Sequence, residues 1–151
     1  MSDQQVAVVT GGASGIGAGI ASALSADGLD VFVLDNNPVH VEAYNTSHAL
    51  ARARLCDVTS PQSVADEIAG IIQVAGRIDV LINNAAVMMF KEQYTDENGF
   101  DVQAQTNHLS HFLLTNKLLP ALALAEKVRG EARIVNTSSC AAYLAGGNPL
   151  S

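Results

Sequence analysis

Short β-branched runs alternate along the chain with longer stretches in which apolar residues recur every three or four positions. Four of these runs, all but the third, are nearly continuous Val, Ile and Leu, which is typical of strands buried on both faces of a parallel sheet. The predicted strands are Val6–Thr10, Val31–Asp35, Ala53–Asp57, Val80–Asn83 and Arg133–Ser138.

The stretches between these strands carry helix start and stop signals. The first stretch ends at Gly28, and a later one begins at Ser60-Pro61 and ends at Gly76, which are common capping residues. The predicted inward face of the first helix is Ile16, Ile20, Ala23 and Leu24. That of the later helix is Val64, Ile68, Ile71, Ile72 and Ala75.

A longer helix is predicted from near Gly99 to the region of Pro120, with a kink there and a continuation towards Lys127 left open. Its predicted inward residues are Leu109, Phe112 and Leu113. Five strands alternating with four helices predict an α/β fold, a doubly wound parallel sheet with strand order 3-2-1-4-5. A chain of 151 residues, 48% of them hydrophobic, suits a single domain over residues 1–151.

The net charge of −7, from 8 basic and 15 acidic side chains, argues against nucleic acid and anionic membranes as partners. No run reaches the roughly 18 apolar residues of a membrane span. Two distant cysteines, Cys56 and Cys140, suit a reducing compartment, and the polar start lacks a signal peptide, so we expect a cytoplasmic protein.

The first strand leads into a glycine-rich turn that reads T-G-x-x-x-G-x-G from Thr10 to Gly17. Glycines allow a tight turn and a close approach of the backbone to a phosphate group. The following helix offers free N–H groups and the positive end of its dipole. After a buried strand and before a helix, this turn predicts a dinucleotide site.

Asp35 ends the second strand, 18 residues beyond Gly17. A carboxylate here can bind the hydroxyl groups of an adenosine ribose and would repel a 2′-phosphate. No Lys or Arg precedes Arg52, so the predicted cofactor is NAD rather than NADP. The alternative is that Asp35 only caps a turn before Asn36-Asn37-Pro38.

Two further polar segments follow strand ends, Asp57-Val58 after the third strand and Asn83-Asn84-Ala85-Ala86 at the end of the fourth. In the predicted order, strands one and four are neighbours at the point where the order reverses. Ligands of such sheets bind outside the carboxyl ends of the strands at that point. The segment Asn83–Ala86 is therefore expected to flank the same crevice as the glycine-rich turn.

Taken together, these segments resemble the short-chain dehydrogenase/reductase family, whose fold is Rossmann-like. The motifs that match are Thr10–Gly17, Asp57-Val58, Asn83–Ala86, Asn107 within Thr106–Ser110, and Ile134–Ser139. The stretch from Asp79 to Leu119 is most similar to retinol-dehydrogenase-type members, which often prefer NADP, whereas Asp35 favours NAD.

The resemblance implies a role for each matching residue. The ribose is assigned to Asp35, the adenine edge to Asp57 and Val58, and support of the ribose and of strand four to Asn83 and Ala85. Asn107 is implied to hold a water in a proton relay, and Ser139, with Ser138 as the alternative, to bind the substrate oxygen. The pyrophosphate site is assigned to Gly11, Ser14, Gly15, Ile16 and Gly17.

The sequence departs from the family in its acid/base pair, a Tyr with a Lys four residues later. Tyr44, Tyr94 and Tyr143 are followed at that spacing by His, Asn and Gly. The family's Tyr follows its Ser by about a dozen residues, so we expect a chain truncated after its fifth strand and inactive alone. Ala86 stands where the family usually has Gly.

Some residues near these motifs have structural interpretations. His108 and His111 are spaced as a metal pair, but no third ligand is nearby, so no metal is predicted. Met88 and Met89 are interpreted as core filling rather than substrate contacts.

The function implied by the resemblance is an NAD-dependent oxidoreductase that moves a hydride between nicotinamide and a secondary alcohol or carbonyl. Its substrate is expected to be a small molecule, and its parent a homo-oligomer. The alternatives are a non-catalytic dinucleotide-binding module, a half-fold that needs a partner chain, and a fragment that does not fold.

Overall fold

The computed structural model describes residues 4–48, 52–88, 94–96 and 99–139. The strands are β1 (Val6–Thr10), β2 (Asp30–Asp35), β3 (Ala53–Leu55), β4 (Val80–Asn83) and β5 (Arg133–Asn136). The α-helices are α1 (Gly15–Ala26), α2 (Pro38–Ser47), α3 (Pro61–Ala75), α4 (Val102–Ala104) and α5 (Ser110–Arg129). A π-helical segment, Gln105–Leu109, joins α4 to α5 without a break.

All five strands form one parallel sheet in the order β3-β2-β1-β4-β5. Val8 of β1 lies beside Phe32 of β2 and Leu81 of β4, and Leu81 lies beside Ile134 of β5. The predicted doubly wound, Rossmann-like fold and its strand order are confirmed. The third and fifth strands are two residues shorter than predicted at their carboxyl ends.

Alternate side chains of the strands lie on opposite faces of the sheet and form two separate apolar layers. Those on one face pack with α3 and α5 around Phe32, Leu34 and Leu81. Those on the other face pack with α1 and α2 around Val9, Val33 and Ile82. Because both faces are covered, β1, β2 and β4 are buried along almost their whole length, which explains their continuous apolar sequence.

Helix α2 is the element whose position the hydrophobic pattern did not reveal. Tyr44 is its only buried residue among those described. Its start is set instead by Asn37, whose side chain accepts hydrogen bonds from the backbone N–H groups of Val39 and His40, followed by Pro38. The predicted caps of α3 are confirmed, since Ser60 accepts from Ser63 and Gly76 is left-handed at φ 79°.

The predicted inward face of the long helix is wrong. Phe112 is 67% exposed and Leu109 is 38% exposed, whereas the buried positions of α5 are Ser110, Leu114, Leu118, Leu122 and Ala125. The π-helical segment supplies the physical reason, since its extra residue per turn shifts the phase of the positions that follow. The helix runs through Pro120 to Arg129, so the continuation that the sequence left open is present.

On the first helix the prediction is partly wrong as well. Ala21 and Gly17 are the buried positions, and Ile20 and Leu24 are partly buried. Ile16, predicted to face inward, is 73% exposed at the start of α1, and Ala23, also predicted inward, is exposed as well. The position of Ile16 is consistent with its other predicted role, beside the cofactor.

The interpretation of Met88 as core filling is wrong, because the residue is 66% exposed. Met89 lies outside the described residues.

At the end of the described sheet, β5 is an edge strand and its residues are exposed. The side chains of Ile134 and Val135 remain about half accessible. Within the described residues, no helix combines the length and hydropathy needed to cross a membrane.

Candidate functional site

The glycine-rich turn between β1 and α1 is packed directly against the segment that follows β4. A Cβ atom on Gly11 would lie 2.8 Å from Cα of Ala85, and Gly11 has φ +60°. A Cβ atom on Gly17 would overlap the backbone oxygen of Gly11 and lie 2.6 Å from Nδ2 of Asn84. Both positions therefore require glycine for close packing.

The start of α1 presents unpaired backbone donors. Ser14 is the N-cap, its side chain makes no capping hydrogen bond, and Gly15 at φ +52° has open space around it. The first N–H groups of a helix lack intrahelical partners and carry its positive dipole end. Ser14, Gly15 and Ile16 are exposed at this point, so the turn can accept an anionic group.

Thr10 and Asn84 hold the two loops together. The Thr10 hydroxyl accepts hydrogen bonds from the backbone N–H groups of Asn84 (2.9 Å) and Ala85 (3.0 Å). In return, Nδ2 of Asn84 donates to the backbone oxygens of Thr10 (3.0 Å) and Gly11 (3.2 Å). These two residues were in the recognised motifs but were not assigned a role. The sequence feature that could have identified them is their position, since each polar side chain lies at or next to the end of a strand.

Asp35 lies at the end of β2, 8% exposed, with both carboxylate oxygens engaged. Oδ2 accepts from the backbone N–H of Ala13 (3.2 Å), and Oδ1 accepts from that of Asn37 (3.0 Å). The carboxylate thus does cap the turn that follows β2, as the alternative interpretation required. Each oxygen retains a further lone pair, and the residue lines the cavity, so a ribose role is compatible with the capping.

Asp57 and Val58 lie at the neighbouring corner, after β3. Oδ1 of Asp57 accepts from the backbone N–H and the hydroxyl of Thr59, at 2.9 and 2.7 Å, and Val58 is buried. Cys56, beneath them, is a buried free thiol, and burial raises its pKa. The thiol is therefore protonated at neutral pH and serves as an apolar wall.

These segments enclose a cavity of about 670 Å³ at the carboxyl ends of β1, β2, β3 and β4. Its lining contains two carboxylates, Asp35 and Asp57, one imidazole, His40, and no Lys or Arg among the described residues. Nine of the ten predicted cofactor residues lie on it: Gly11, Ser14, Gly15, Ile16, Gly17, Asp35, Asp57, Val58 and Ala85.

Asn83, the tenth predicted cofactor residue, lies beneath the cavity rather than on it. It is fully buried, and Nδ2 donates to Oγ1 of Thr115 (3.0 Å) and to Oδ1 of Asn136 (2.8 Å). It therefore joins β4 to β5 and α5, as its predicted support of strand four requires, and its predicted support of the ribose stays a prediction.

Asn107 lies in the π-helical segment and reaches the segment after β4. Its Oδ1 accepts from the backbone N–H of Val87, and its Nδ2 donates to the oxygen of Val87, both at 2.8 Å. Both ends of the amide are thus in use, although each keeps one further hydrogen-bonding position. A π-helical turn of this kind often occurs at functional sites.

A second cavity, of about 400 Å³, lies between α5 and the carboxyl end of β5. It brings together the predicted catalytic Asn107 and Ser138, which was the alternative to Ser139. Ser139 is exposed next to it but is not part of its lining. The full lining is Asn107, His108, His111, Phe112, Thr115, Asn136, Thr137 and Ser138.

His111 is the titratable group in this region with an altered pKa. Burial lowers its pKa most, the nearby backbone of Ala85 partly opposes this shift, and His108 lowers the pKa further. Its ring is therefore neutral at pH 7. Within the described part of the chain, no three His, Cys, Asp or Glu side chains are grouped as a metal site requires.

A family of known proteins matches nearly the whole chain. The family model described as short chain dehydrogenase matches residues 5–148. The chain belongs to this family. Retinol dehydrogenase 13 of Homo sapiens is 38% identical over 145 residues, which are 92% of this chain and 42% of the relative.

A second relative, Polyprenol dehydrogenase of Homo sapiens, is 34% identical over 147 residues, 93% of this chain and 44% of the relative. The chain thus spans less than half the length of these curated members of the short-chain dehydrogenase family. The resemblance found in the sequence, including its retinol-dehydrogenase-type stretch, is confirmed.

Solved structures agree with this assignment. The 3-ketoacyl-(acyl-carrier-protein) reductase of Brucella melitensis, complexed with NADH, superposes with a TM-score of 0.80 at 25% identity, covering 89% of this chain and 57% of that one. A metagenomic short-chain oxidoreductase in complex with NADP gives 0.74 at 32%, covering 96% and 64%. Short-chain dehydrogenases of this fold thus bind either NAD(H) or NADP.

Proposed function

We propose that this chain is the cofactor-binding part of an NAD-dependent oxidoreductase that acts on a secondary alcohol or carbonyl group of a small molecule. The observation that carries the proposal is Asp35, held by two backbone N–H groups in a cavity whose described lining contains no Lys or Arg. A 2′-phosphate placed there would face a carboxylate without a guanidinium or ammonium partner.

The direction of the cofactor follows from the order of the strands. Asp35 and Asp57 follow β2 and β3, so the adenosine half would lie at that side of the sheet. The exposed amides at the start of α1 would bind the pyrophosphate. The nicotinamide half would then lie near Ala85–Val87, where the π-helical segment brings Asn107 and the residues after β5 bring Ser138 and Ser139.

Bound NAD supplies the hydride acceptor in this scheme, and the chain positions the reacting groups around it. Ser139, or Ser138 on the cavity wall, would donate a hydrogen bond to the substrate oxygen. Asn107 would hold the segment after β4 and, with its remaining hydrogen-bonding positions, a relay water. The sequence contains no Tyr-x-x-x-Lys, so we expect the chain alone to bind the cofactor without turnover.

That missing pair favours the second candidate function, a non-catalytic dinucleotide-binding module or half-fold dependent on a partner. Turnover measured with a panel of secondary alcohols and NAD⁺ distinguishes the two, because activity of this chain alone would contradict the need for the missing pair. The proposed parent is cytoplasmic, from its cysteine usage, and homo-oligomeric, from its family resemblance.

Titration with NAD⁺ and with NADP⁺, followed by calorimetry, tests the cofactor preference. We expect NAD⁺ to bind more tightly by at least about tenfold, since like charges brought together cost several kcal/mol. Asp35→Ser should narrow this ratio. Asp27→Ser, at the exposed carboxyl end of α1, is the matched control and should leave the ratio unchanged. Equal affinities in the unaltered chain would contradict the proposal.

A further inference from the structure

His111 lies one helical turn after Asn107, on the same side of the helix that faces the segment following β4. Asn107 contacts Val87 in that segment, and the backbone of Ala85, two residues earlier, lies near enough to the His111 ring to raise its pKa. Successive turns of the helix therefore face one short loop. That loop, Ala85–Val87, lines the first cavity, while His111 and Asn107 line the second.

The imidazole of His111 has hydrogen-bonding capacity that the protein does not fully use. Its Nε2 atom is shielded from solvent and makes no hydrogen bond of ordinary geometry with any residue the structure describes. A buried polar atom without such a partner is unfavourable, so the contact with the loop has room to tighten. Hydrogen bonds around a reaction site are often long in the free protein and shorten when the ligand is bound.

We propose that His111 is a positioning residue, which holds the loop Ala85–Val87 in place and thereby orients the nicotinamide half of the bound cofactor. This inference rests on the proposed function, because it assigns the nicotinamide to that loop. Asp35 and Asp57 would bind the other half of the same molecule, at the β2–β3 edge of the sheet, opposite to β5. The role of His111 is thus confined to one half of the ligand.

This division allows a sharp test with two ligands, NAD⁺ and ADP-ribose, which lacks the nicotinamide. We expect His111→Ala to weaken NAD⁺ binding about three- to tenfold, the effect of one hydrogen bond, and to leave ADP-ribose binding unchanged. His111→Gln, which can still donate to a backbone oxygen, should restore most of the loss. The matched control is Asn116→Ala, at an exposed position of the same helix outside both cavities, which should change neither affinity.

A measurement on the unaltered chain covers the case in which His111→Ala does not fold. The imidazole proton resonances of His111 should shift on addition of NAD⁺ but not of ADP-ribose, while those of His48, away from both cavities, stay fixed. Equal losses of affinity for both ligands, or an unmoved His111 resonance, would show a merely structural role and overturn the inference. If the unaltered chain bound neither ligand, the proposed function would fail first.

Discussion

The two ends of the sheet differ in how their polar groups are paired. At the amino end, Asp79 is fully buried and its carboxylate is saturated. It accepts from the backbone N–H of Val6 at 2.7 Å, pairs with Arg77 at 3.0 Å, and lies 3.6 Å from Nε of Arg129. One side chain thus joins the starts of β1 and β4 to the end of α5.

At the carboxyl end of the sheet, by contrast, polar backbone groups remain exposed. Backbone N–H groups at the start of α1 are left exposed, Ser14 gives them no side-chain cap, and glycines keep the space in front of them open. Buried charges are therefore paired with other groups of the chain at the amino end of the sheet, which needs only stability. Donors are left free where a ligand is to supply the missing acceptors.

The largest effect is expected from breaking the amino end. Asp79→Ala would leave Arg77 and Arg129 without their shared carboxylate, so we expect the free energy of unfolding to fall by about 3–5 kcal/mol. Urea denaturation measures it. The exposed pair Arg133–Glu131 provides the control, since Glu131→Ala should have little effect. A small loss of stability in Asp79→Ala would mean that the cluster of Asp79, Arg77 and Arg129 does not hold this end of the sheet together.

A slightly smaller effect is expected from filling the open end. Gly17→Ala would push a methyl group into the backbone of Gly11, which should destabilise the fold by about 1–3 kcal/mol and weaken NAD⁺ binding. Gly19→Ala is the matched control, because nothing lies within 4 Å of its Cβ position and alanine favours the helix. Calorimetric titration measures the binding of NAD⁺ to both variants, and thermal melting measures their stability. Similar behaviour of the two would contradict the packing described.

The contact between the two loops should give a loss of comparable or smaller size. Thr10→Val keeps the shape but removes the acceptor of two backbone N–H groups, so we expect a loss of stability of about 1–3 kcal/mol. Thr10→Ser retains the hydroxyl and should recover most of it. Chemical denaturation of the three proteins is the measurement, and equal stability of Val and Ser variants would refute the role of the hydroxyl.

The smallest effect concerns pH. Burial lowers the pKa of His111 below its ordinary value of 6.5, so the unfolded chain binds a proton more readily than the folded one. Stability from this group is therefore present above about pH 6.5 and is lost as the pH falls towards the folded pKa. Thermal melting between pH 5 and 8 should show a shallower dependence in His111→Gln. An unchanged slope would mean that His111 does not titrate as described.

The sheet was predictable because residues such as Val8, Val33 and Ile82 lie in runs that only a doubly covered strand accommodates. The side of α5 that packs inward was not, because a π-helical turn at Gln105–Leu109 shifts the helical phase, and no residue type marks such a turn. Helix α2 could have been located from Asn37-Pro38, although its weak apolar face gave no second signal.

In the site, the residues that carry glycine or a carboxylate were predictable, because their chemistry is local to one loop. The pairing of Thr10 with Asn84, and of Asn107 with Val87, depends on contacts across 74 and 20 residues of sequence. Such contacts follow from the strand order rather than from any spacing. The sequence therefore identified the motifs but not the hydrogen bonds between their atoms.

We propose that the carboxyl end of the sheet binds a dinucleotide and that the amino end does not. The most direct test is an amide NMR titration of the ¹⁵N-labelled chain with NAD⁺. We predict that the resonances of Gly15, Ile16 and Gly17 shift, together with those near Asp35 and Ala85, while those of Arg77, Ile78 and Asp79 remain in place. Shifts confined to the amino end, or none at all, would contradict the account.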